Sequence, residues 1–416
     1  MFNLGLIRFV PKPLRPLAFL VDGYVLRVVN RARQQREVPR TGRNSFPRSA
    51  PVTLVGLFAS PTGIGQGARL MWRDMQRRGH AVTAVDVTAA LSMPGGPRPE
   101  GVLDASALET LAPGPIVLHL NPPLYEAIYF RLPLRLRRRA RLIGYWAWEL
   151  DRAPSEWLVA AALCDEIWVP SDFVAGAMRR LLGPNARQPV RVVPHAVDAM
   201  PVGPRKSAER CAAVRARHDL PENAFVVGYS FSMSSNFTRK NPLGALAAFQ
   251  AAFPADTVDD VALVLRCNDM AVWPRGAAAL AAAAADDKRI VLVDGERRRL
   301  PVGDMYEAVD VYLSLHRSEG YGLTQAEAAD VGTAVIATGW GMAADIAARP
   351  DVASVGWQLV PVEDPQGVYT VPEASWAEPD IQDAAAHLRA RYAARKRGRP
   401  GVPQAASHMV ARGHAD

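Results

Sequence analysis

HRSEGYGLTQAEA, residues 316–328, sets two acidic side chains around a glycine-rich turn that runs directly into a helix-forming stretch. Seven residues separate Glu319 from Glu327. The preceding VDVYLSL (309–315) is rich in β-branched and apolar residues and reads as a strand. Gly320 and Gly322 allow the backbone to approach a ligand closely. The helix expected from about Thr324 presents unpaired N–H groups and a positive dipole end to the same place. This strand, loop and helix suit a ligand that is both anionic and rich in hydroxyls. The amides would take a diphosphate and the carboxylates would take hydroxyl groups, a pairing of needs that a nucleotide sugar meets. The next apolar run, TAVIATGWG (333–341), brings a second glycine-rich crossing beside the first.

Working outward, the same alternation covers most of the chain. VTLVGLFAS, HAVTAVDV, PIVLHLN, ARLIGYWAW, DEIWVPS and VRVVPHAV read as strands, with helices or loops between them and GARLMWRDMQRRG as a helix after a glycine turn. A second series follows: AFVVGYSF, VALVLRC, RIVLVDG, VDVYLSL and TAVIAT, with alanine-rich helices near 242–252, 275–285, 303–308 and 324–331. Strands alternating with helices imply parallel sheets wrapped by helices, so the fold class is α/β. The 416-residue length favours two domains. The reading is a leader over 1–50, domains over 51–200 and 201–375, and a terminal segment over 376–416 with a helix at 381–397 and a mobile stretch from Gly398. DAMPVGPRKSAE, residues 198–209, reads as the linker.

The formal net charge is +8, and residues 1–50 carry all of it, with ten Lys and Arg against two Asp and Glu. Leu17, Leu20, Val21, Tyr24, Val25 and Val28 fall at near-helical spacing among these arginines. That pattern fits either a leader packed on the domain or a helix lying on an anionic membrane surface. A second basic run, Arg131 to Arg141 with Leu132, Leu134 and Leu136 interleaved, reads as a solvated face or as a surface for lipid or an anionic acceptor. Neither run sits in a nucleic-acid-binding motif, so nucleic acid is not an expected partner. No apolar run reaches a membrane-spanning length and the start lacks the regions of a signal peptide. Cys164, Cys211 and Cys267 are far apart and without metal-ligand spacing, which suits reduced thiols in a cytoplasmic protein.

Taken together, GIGQGAR (63–69), YWAWELDRAP (145–154), DEIWVPSDF (165–173), VPHAVD (193–198), RKNP (239–242), HRSEGYGLTQAEA, AVIATGW (334–340) and WAEPD (376–380) resemble the group 1, family 4 retaining glycosyltransferases. Their order and number carry the resemblance, which spans roughly residues 52–395 and has the style of bacterial surface-polysaccharide enzymes. It implies the GT-B fold: two Rossmann-like domains with parallel sheets facing an interdomain cleft, the second domain holding the donor nucleotide. It implies further that Glu319 holds donor-sugar hydroxyls and Glu327 the ribose. Gly320, Tyr321, Gly322, Leu323 and Thr324 then serve the sugar and diphosphate from the loop and helix start. Lys240 matches the family's diphosphate-binding cation. The usual accompanying Arg is replaced by Ser235, with Arg239 as a substitute. His119, at the end of PIVLHL, matches a first-domain histidine near the donor sugar, with Asn121 as the other register, while Gly63, Ile64 and Gly65 form a loop for phosphate or acceptor.

The implied reaction is front-face displacement at the anomeric carbon, without a protein nucleophile, a metal or any further cofactor. Its acceptor is a glycan or a lipid-linked glycan. Asp259-Asp260 and Asp286-Asp287 read as solvated pairs rather than a metal clamp. His195 and His316 adjoin matched motifs, and Trp146, Trp148, Glu149 and Trp168 are read as acceptor-side or core residues. Three other readings stay open on the sequence. GIGQGA followed by Asp86 is a loose dinucleotide fingerprint, with Gly67 one residue short of the usual spacing, and suggests an NAD-dependent oxidoreductase. Two carboxylates also suit a glycoside hydrolase. A sugar-binding homologue that has lost activity is the third.

Overall fold

The computed structural model describes residues 50–197, 206–295 and 300–397. The basic leader up to residue 49, most of the expected linker (198–205) and the tail beyond Arg397 lie outside the described residues. The chain divides into two units between Pro201 and Val202.

The first unit runs β1 (Val52–Gly56), α1 (Gly63–Arg77), β2 (Val82–Asp86), β3 (Pro115–His119), α2 (Leu124–Tyr129), α3 (Leu134–Arg139), β4 (Arg141–Tyr145), α4 (Trp157–Ala161), β5 (Glu166–Val169), α5 (Asp172–Leu182) and β6 (Val190–Val192). Its six strands are all parallel, in the order β2-β1-β3-β4-β5-β6. Strands covered on both faces must be apolar throughout, and Leu54, Val117 and Ile143 accordingly meet Ala68 and Met71 of α1 in one core.

The second unit runs α6 (Ala208–Arg217), β7 (Phe225–Ser232), α7 (Phe237–Lys240), α8 (Pro242–Ala252), β8 (Val261–Asn268), α9 (Pro274–Asp286), β9 (Ile290–Asp294), α10 (Val302–Ala308), β10 (Val311–Ser314), α11 (Leu323–Val331), β11 (Ala334–Thr338), α12 (Ala344–Ala347), β12 (Val352–Val355), β13 (Trp357–Pro361), β14 (Ser375–Pro379) and α13 (Ile381–Lys396). Its parallel sheet has the order β12-β11-β10-β7-β8-β9, and β13 and β14 form a separate antiparallel hairpin. Val226, Val264 and Val293 pack beneath Met305 and Ala308 of α10.

Each sheet has one place where the chain reverses its direction of winding. In the first it lies between β1 and β3, and in the second between β7 and β10. The connections leaving the carboxyl ends of those two strands go to opposite faces and open a crevice, the usual ligand position in such sheets.

Several sequence expectations are corrected. The glycines after β1 do not form a turn: α1 begins at Gly63, capped by the Thr62 hydroxyl, which accepts from the Gly65 N–H at 3.3 Å. Glycine is required at position 65 because a Cβ there would stand 2.4 Å from the Ser60 carbonyl oxygen. Arg239 and Lys240 end the separate turn α7, ahead of α8, because Asn241 is left-handed (φ 51°) and Pro242 opens α8 afresh. The expected linker ends early, with Ser207 capping α6. Asp287 is buried and held by Arg289 at 2.6 Å, whereas Asp260 keeps the expected exposure, its side chain 39% accessible while it accepts from the Tyr392 hydroxyl at 2.5 Å. In the basic run, Leu136 on α3 and Leu132 just ahead of it are buried and only Leu134 faces outward. Arg135 and Arg137 bind backbone carbonyls, and Arg141 pairs with Glu166.

Candidate functional site

In the second unit the reversal crevice is lined by the segments that leave β7 and β10. From β7 the chain passes through Asn236, at φ 73°, whose side-chain oxygen accepts from the Arg239 N–H at 2.8 Å and so closes the short turn α7. Asn241 ends the turn, its amide donating to the Leu315 carbonyl at 2.9 Å, and the Tyr229 hydroxyl donates to the Lys240 carbonyl at 2.6 Å. The two caps of the turn and one tyrosine of β7 thus fix its four residues, and Lys240 and Arg239 are both delivered to the end of β10.

There they meet Glu319. The Lys240 ammonium is ion-paired to its Oε1, and Arg239 Nη1 lies 3.3 Å from the same oxygen. Burial pushes the Glu319 carboxyl up, but Lys240 first and Arg239 second outweigh it and hold it at about 2. At neutral pH the cluster is therefore one anion against two cations. The two cations differ in freedom of use. Arg239 is 3% exposed, donates to the Ser318 carbonyl at 2.8 Å and the Ser235 carbonyl at 2.9 Å, and lies 5.7 Å from the Tyr369 ring centre. It is built into the wall that carries Glu319, and Lys240, from the same turn, is the more accessible of the two, its side chain 12% exposed against 4% for that of Arg239.

After Glu319 the loop turns through Gly322, at φ 92°, which sits at the start of α11 and supplies no side-chain cap to its first turn. Leu323 and Thr324 open the helix, leaving first-turn N–H groups of the kind that bind anions. The expected second glycine crossing is present. Gly341 (φ 76°) passes so close that a Cβ on it would stand 2.5 Å from the Glu319 carbonyl oxygen, and the Ala343 N–H donates to the Tyr321 carbonyl at 2.8 Å. One turn further along α11, Glu327 accepts from the Tyr306 hydroxyl at 3.0 Å. Glu319, Lys240, Arg239, Gly320 to Thr324 and Glu327 thus all belong to the β7/β10 crevice and the helix beside it. His316, at the strand end, is fully buried; its ring nitrogens have no hydrogen-bond partner among the described residues, and burial holds it down at about 3.

In the first unit, His119 ends β3 at that sheet's own reversal point. Its ring stacks on Tyr145 (centroids 4.2 Å apart, planes at 14°), and the Tyr145 hydroxyl donates to the Val193 carbonyl at 2.9 Å and lies 3.3 Å from His195 Nδ1. Gly67 completes the group: a Cβ there would stand 2.6 Å from His195 Cε1 and 3.0 Å from His119 Cε1. Burial, then the neighbouring His195, holds His119 at about 3, and burial holds His195 at about 4. Both rings are neutral at physiological pH. Asn121 is used structurally, exchanging two hydrogen bonds with the Ala147 backbone at 2.7 and 2.9 Å. Gly63 is exposed, Ile64 half-buried and Gly65 buried at the start of α1. Trp146 packs edge-on to Tyr125 and Trp157, the Trp148 ring donates to the Arg152 carbonyl, and the Trp168 ring donates to Glu166, so these three serve the packing of the unit.

Asp86, the acid of the dinucleotide reading, is committed elsewhere. It accepts from the Thr88 hydroxyl at 2.6 Å and the Ala59 N–H at 3.1 Å. Among the described residues no three His, Cys, Asp or Glu gather as a metal ion would need, and no helix is long and apolar enough to cross a membrane. Tyr306, Tyr145 and Asp364 were not singled out from sequence. Asp364 lies in the β13–β14 loop, where it accepts from the Asn236 amide at 2.7 Å and the Tyr369 N–H at 2.9 Å. No short motif marks these residues, since each acts on a partner at least 21 positions away or in another element.

No protein-family model matches the sequence, and no curated protein does. Solved structures do match. HepE of Anabaena, in complex with UDP and glucose, superposes with a TM-score of 0.54 at 13% identity, covering 82% of this chain and 89% of that one. In its UDP complex it gives 0.54 at 12% identity, covering 84% and 91%. A glycosyltransferase from Rickettsia africae gives 0.52 at 11% identity, covering 84% and 89%. At such identities the likeness is one of fold, and the fold of this chain is α/β of the GT-B kind found in those glycosyltransferases.

Proposed function

We propose that this chain is a glycosyltransferase that moves a sugar from a nucleoside diphosphate sugar to a glycan or lipid-linked acceptor, with retention at the anomeric carbon and no bound metal or other cofactor. One observation carries the reading: a buried, ionised Glu319 flanked by Lys240 and Arg239, beside the start of α11, at the reversal point of a fold shared with proteins crystallised with UDP and glucose. In this reading Glu319 accepts from donor-sugar hydroxyls and Glu327 from the ribose. Gly320, Tyr321, Gly322, Leu323 and Thr324 present backbone N–H groups to sugar and phosphate. His119 takes the role that the resemblance implies, near the donor sugar, and the α1 start at Gly63, Ile64 and Gly65 serves phosphate or acceptor.

The acceptor oxygen bonds to the anomeric carbon as the bond from that carbon to the β-phosphate oxygen breaks. The proton of the acceptor hydroxyl passes to the departing phosphate. Negative charge then grows on the diphosphate, where fixed cations and amides stabilise the transition state more than the ground state. Lys240 supplies a cation for this, held in place by Glu319. Arg239 acts chiefly by holding Glu319 and the Ser318 carbonyl, which accounts for a buried Arg in a chain that has Ser235 at the family's other cationic position. The charge is thus met by side chains rather than by a metal. We place the reaction in the cytoplasm, at an anionic membrane face where the acceptor is lipid-linked.

Calorimetry with UDP-, GDP-, ADP- and dTDP-sugars and with NADH tests this directly. Tight binding of one nucleotide sugar, with turnover abolished in Glu319→Ala and Lys240→Ala, is expected. NADH binding alone, or sugar release from an oligosaccharide without nucleotide, would overturn it. Turnover unaffected by both substitutions would remove the assigned site.

A further inference from the structure

Glu327 is not a free surface carboxylate on α11. Its Oε2 accepts the hydroxyl of Tyr306, which projects from α10 and is 2% exposed. The phenol is itself immobilised. Its ring stands edge-on to Tyr312 (5.3 Å, 81°), and its backbone carbonyl accepts from Thr333 Oγ1 at 2.5 Å, tying α10 to the turn that follows α11. An ionised carboxylate only accepts hydrogen bonds, so the direction of this one is settled: the phenol donates. Burial first, and Glu327 second, push the Tyr306 hydroxyl well above its ordinary value, so it stays protonated wherever the carboxylate is charged.

A vicinal diol is read best by a carboxylate whose plane is fixed before the ligand arrives, because a freely turning glutamate loses rotamer freedom on binding. We infer that Tyr306 is the positioning residue for the carboxylate that reads the ribose, holding Glu327 so that the site selects a ribonucleoside diphosphate over its 2′-deoxy counterpart. The inference rests on the function proposed above and adds a residue and a selectivity to it. It also narrows the donor, since a deoxythymidine-linked sugar lacks one of the two hydroxyls.

The test titrates the full-length protein with UDP, GDP, ADP and their 2′-deoxy counterparts. The wild type should prefer the ribose form of its base by about tenfold or more, the scale of one hydrogen bond to a charged group. Tyr306→Phe keeps the ring and removes only the hydroxyl. It should weaken the ribose form by about five- to tenfold, leave the deoxy form unchanged and collapse the ratio to about two or less. Glu327→Asp, which withdraws the carboxylate from the phenol, should collapse the ratio as well and serves if Tyr306→Phe does not fold. Equal losses on both forms in the two variants, or an unchanged ratio, would overturn the inference and mark Tyr306 as packing only. A wild type that binds a diphosphate without ribose preference overturns the inference and leaves the proposed function standing. A wild type that binds none of the six but binds dTDP overturns the inference alone, and one that binds neither the six nor dTDP overturns the function itself.

Discussion

Replacing Gly341 by Ala tests the geometry of the site without touching any of its charges. The added Cβ would stand 2.5 Å from the Glu319 carbonyl oxygen and 2.9 Å from the Glu319 nitrogen, at φ 76°. Two costs add. An L side chain in the left-handed region costs about 1–2 kcal/mol, offset by roughly 0.4–1 kcal/mol because Ala restricts the unfolded chain. Overpacking against backbone atoms that cannot rotate away adds about 1–3 kcal/mol. The sum is a loss of about 1–5 kcal/mol, or roughly 2–18 °C in Tm for a unit of this size. Gly367 provides the control: its φ is 67°, but nothing lies within 4 Å of a Cβ there. Gly367→Ala should therefore lose only the strain component net of that offset, about 0–1.6 kcal/mol. Differential scanning fluorimetry of both variants, followed by nucleotide-sugar titration, separates the two effects. Gly341→Ala should also bind donor more weakly, because relief of the clash moves Glu319. Equal destabilisation by the two substitutions, with donor affinity untouched in both, would refute the claim that Gly341 supports Glu319.

Further expectations concern the same groups. Glu319 is held at about 2, below its ordinary value, so the stability it contributes is complete above about pH 4.5 and is lost as pH falls toward about 2. Lys240→Ala removes the larger of the two opposing cations and should move this loss upward, which acid titration of the urea midpoint will read. His119, His195 and His316 are buried neutral, at about 3, 4 and 3. Below about pH 6.5 the unfolded chain takes up protons that the folded one refuses, so each should reduce stability by up to about 1.4 kcal/mol per pH unit. His316→Asn should make that slope shallower by one proton. Asp364→Ala releases Asn236 and Tyr369 together and should cost about 1–3 kcal/mol and raise the donor KM, with partial rescue by Asp364→Asn, measurable by chemical unfolding and initial rates.

Hydrophobic alternation made most of the architecture legible, because parallel strands covered on both faces have to be apolar. RIVLVDG and TAVIAT could hardly be anything else. β12 was not, since VASV is short and mixes small and polar residues, and the β13–β14 hairpin has no tight-turn signature across its intervening loop. The start of α1 was misjudged because glycine normally breaks helices. Two of the three glycines are required by close approach, Gly65 against the Leu57 and Ser60 carbonyls and Gly67 against two histidines, while Gly63 has open space around it. The Glu-rich loop and Lys240 were visible because their residue types and spacing are local. What holds them was not. Tyr306 reaches Glu327, Asp364 reaches Asn236 and Gly341 reaches Glu319 only through the winding of the sheet.

The β13–β14 loop bears on the order in which the protein is made. Arg239 and Lys240 leave the ribosome long before Asp364 and Tyr369, the residues that clamp their turn from the far end of the chain. A nascent chain halted before that hairpin would carry every acid and base of the site and lack the wedge that seats Asn236. Domains fold as units while synthesis continues, so this one acquires its final grip only when translation is nearly over.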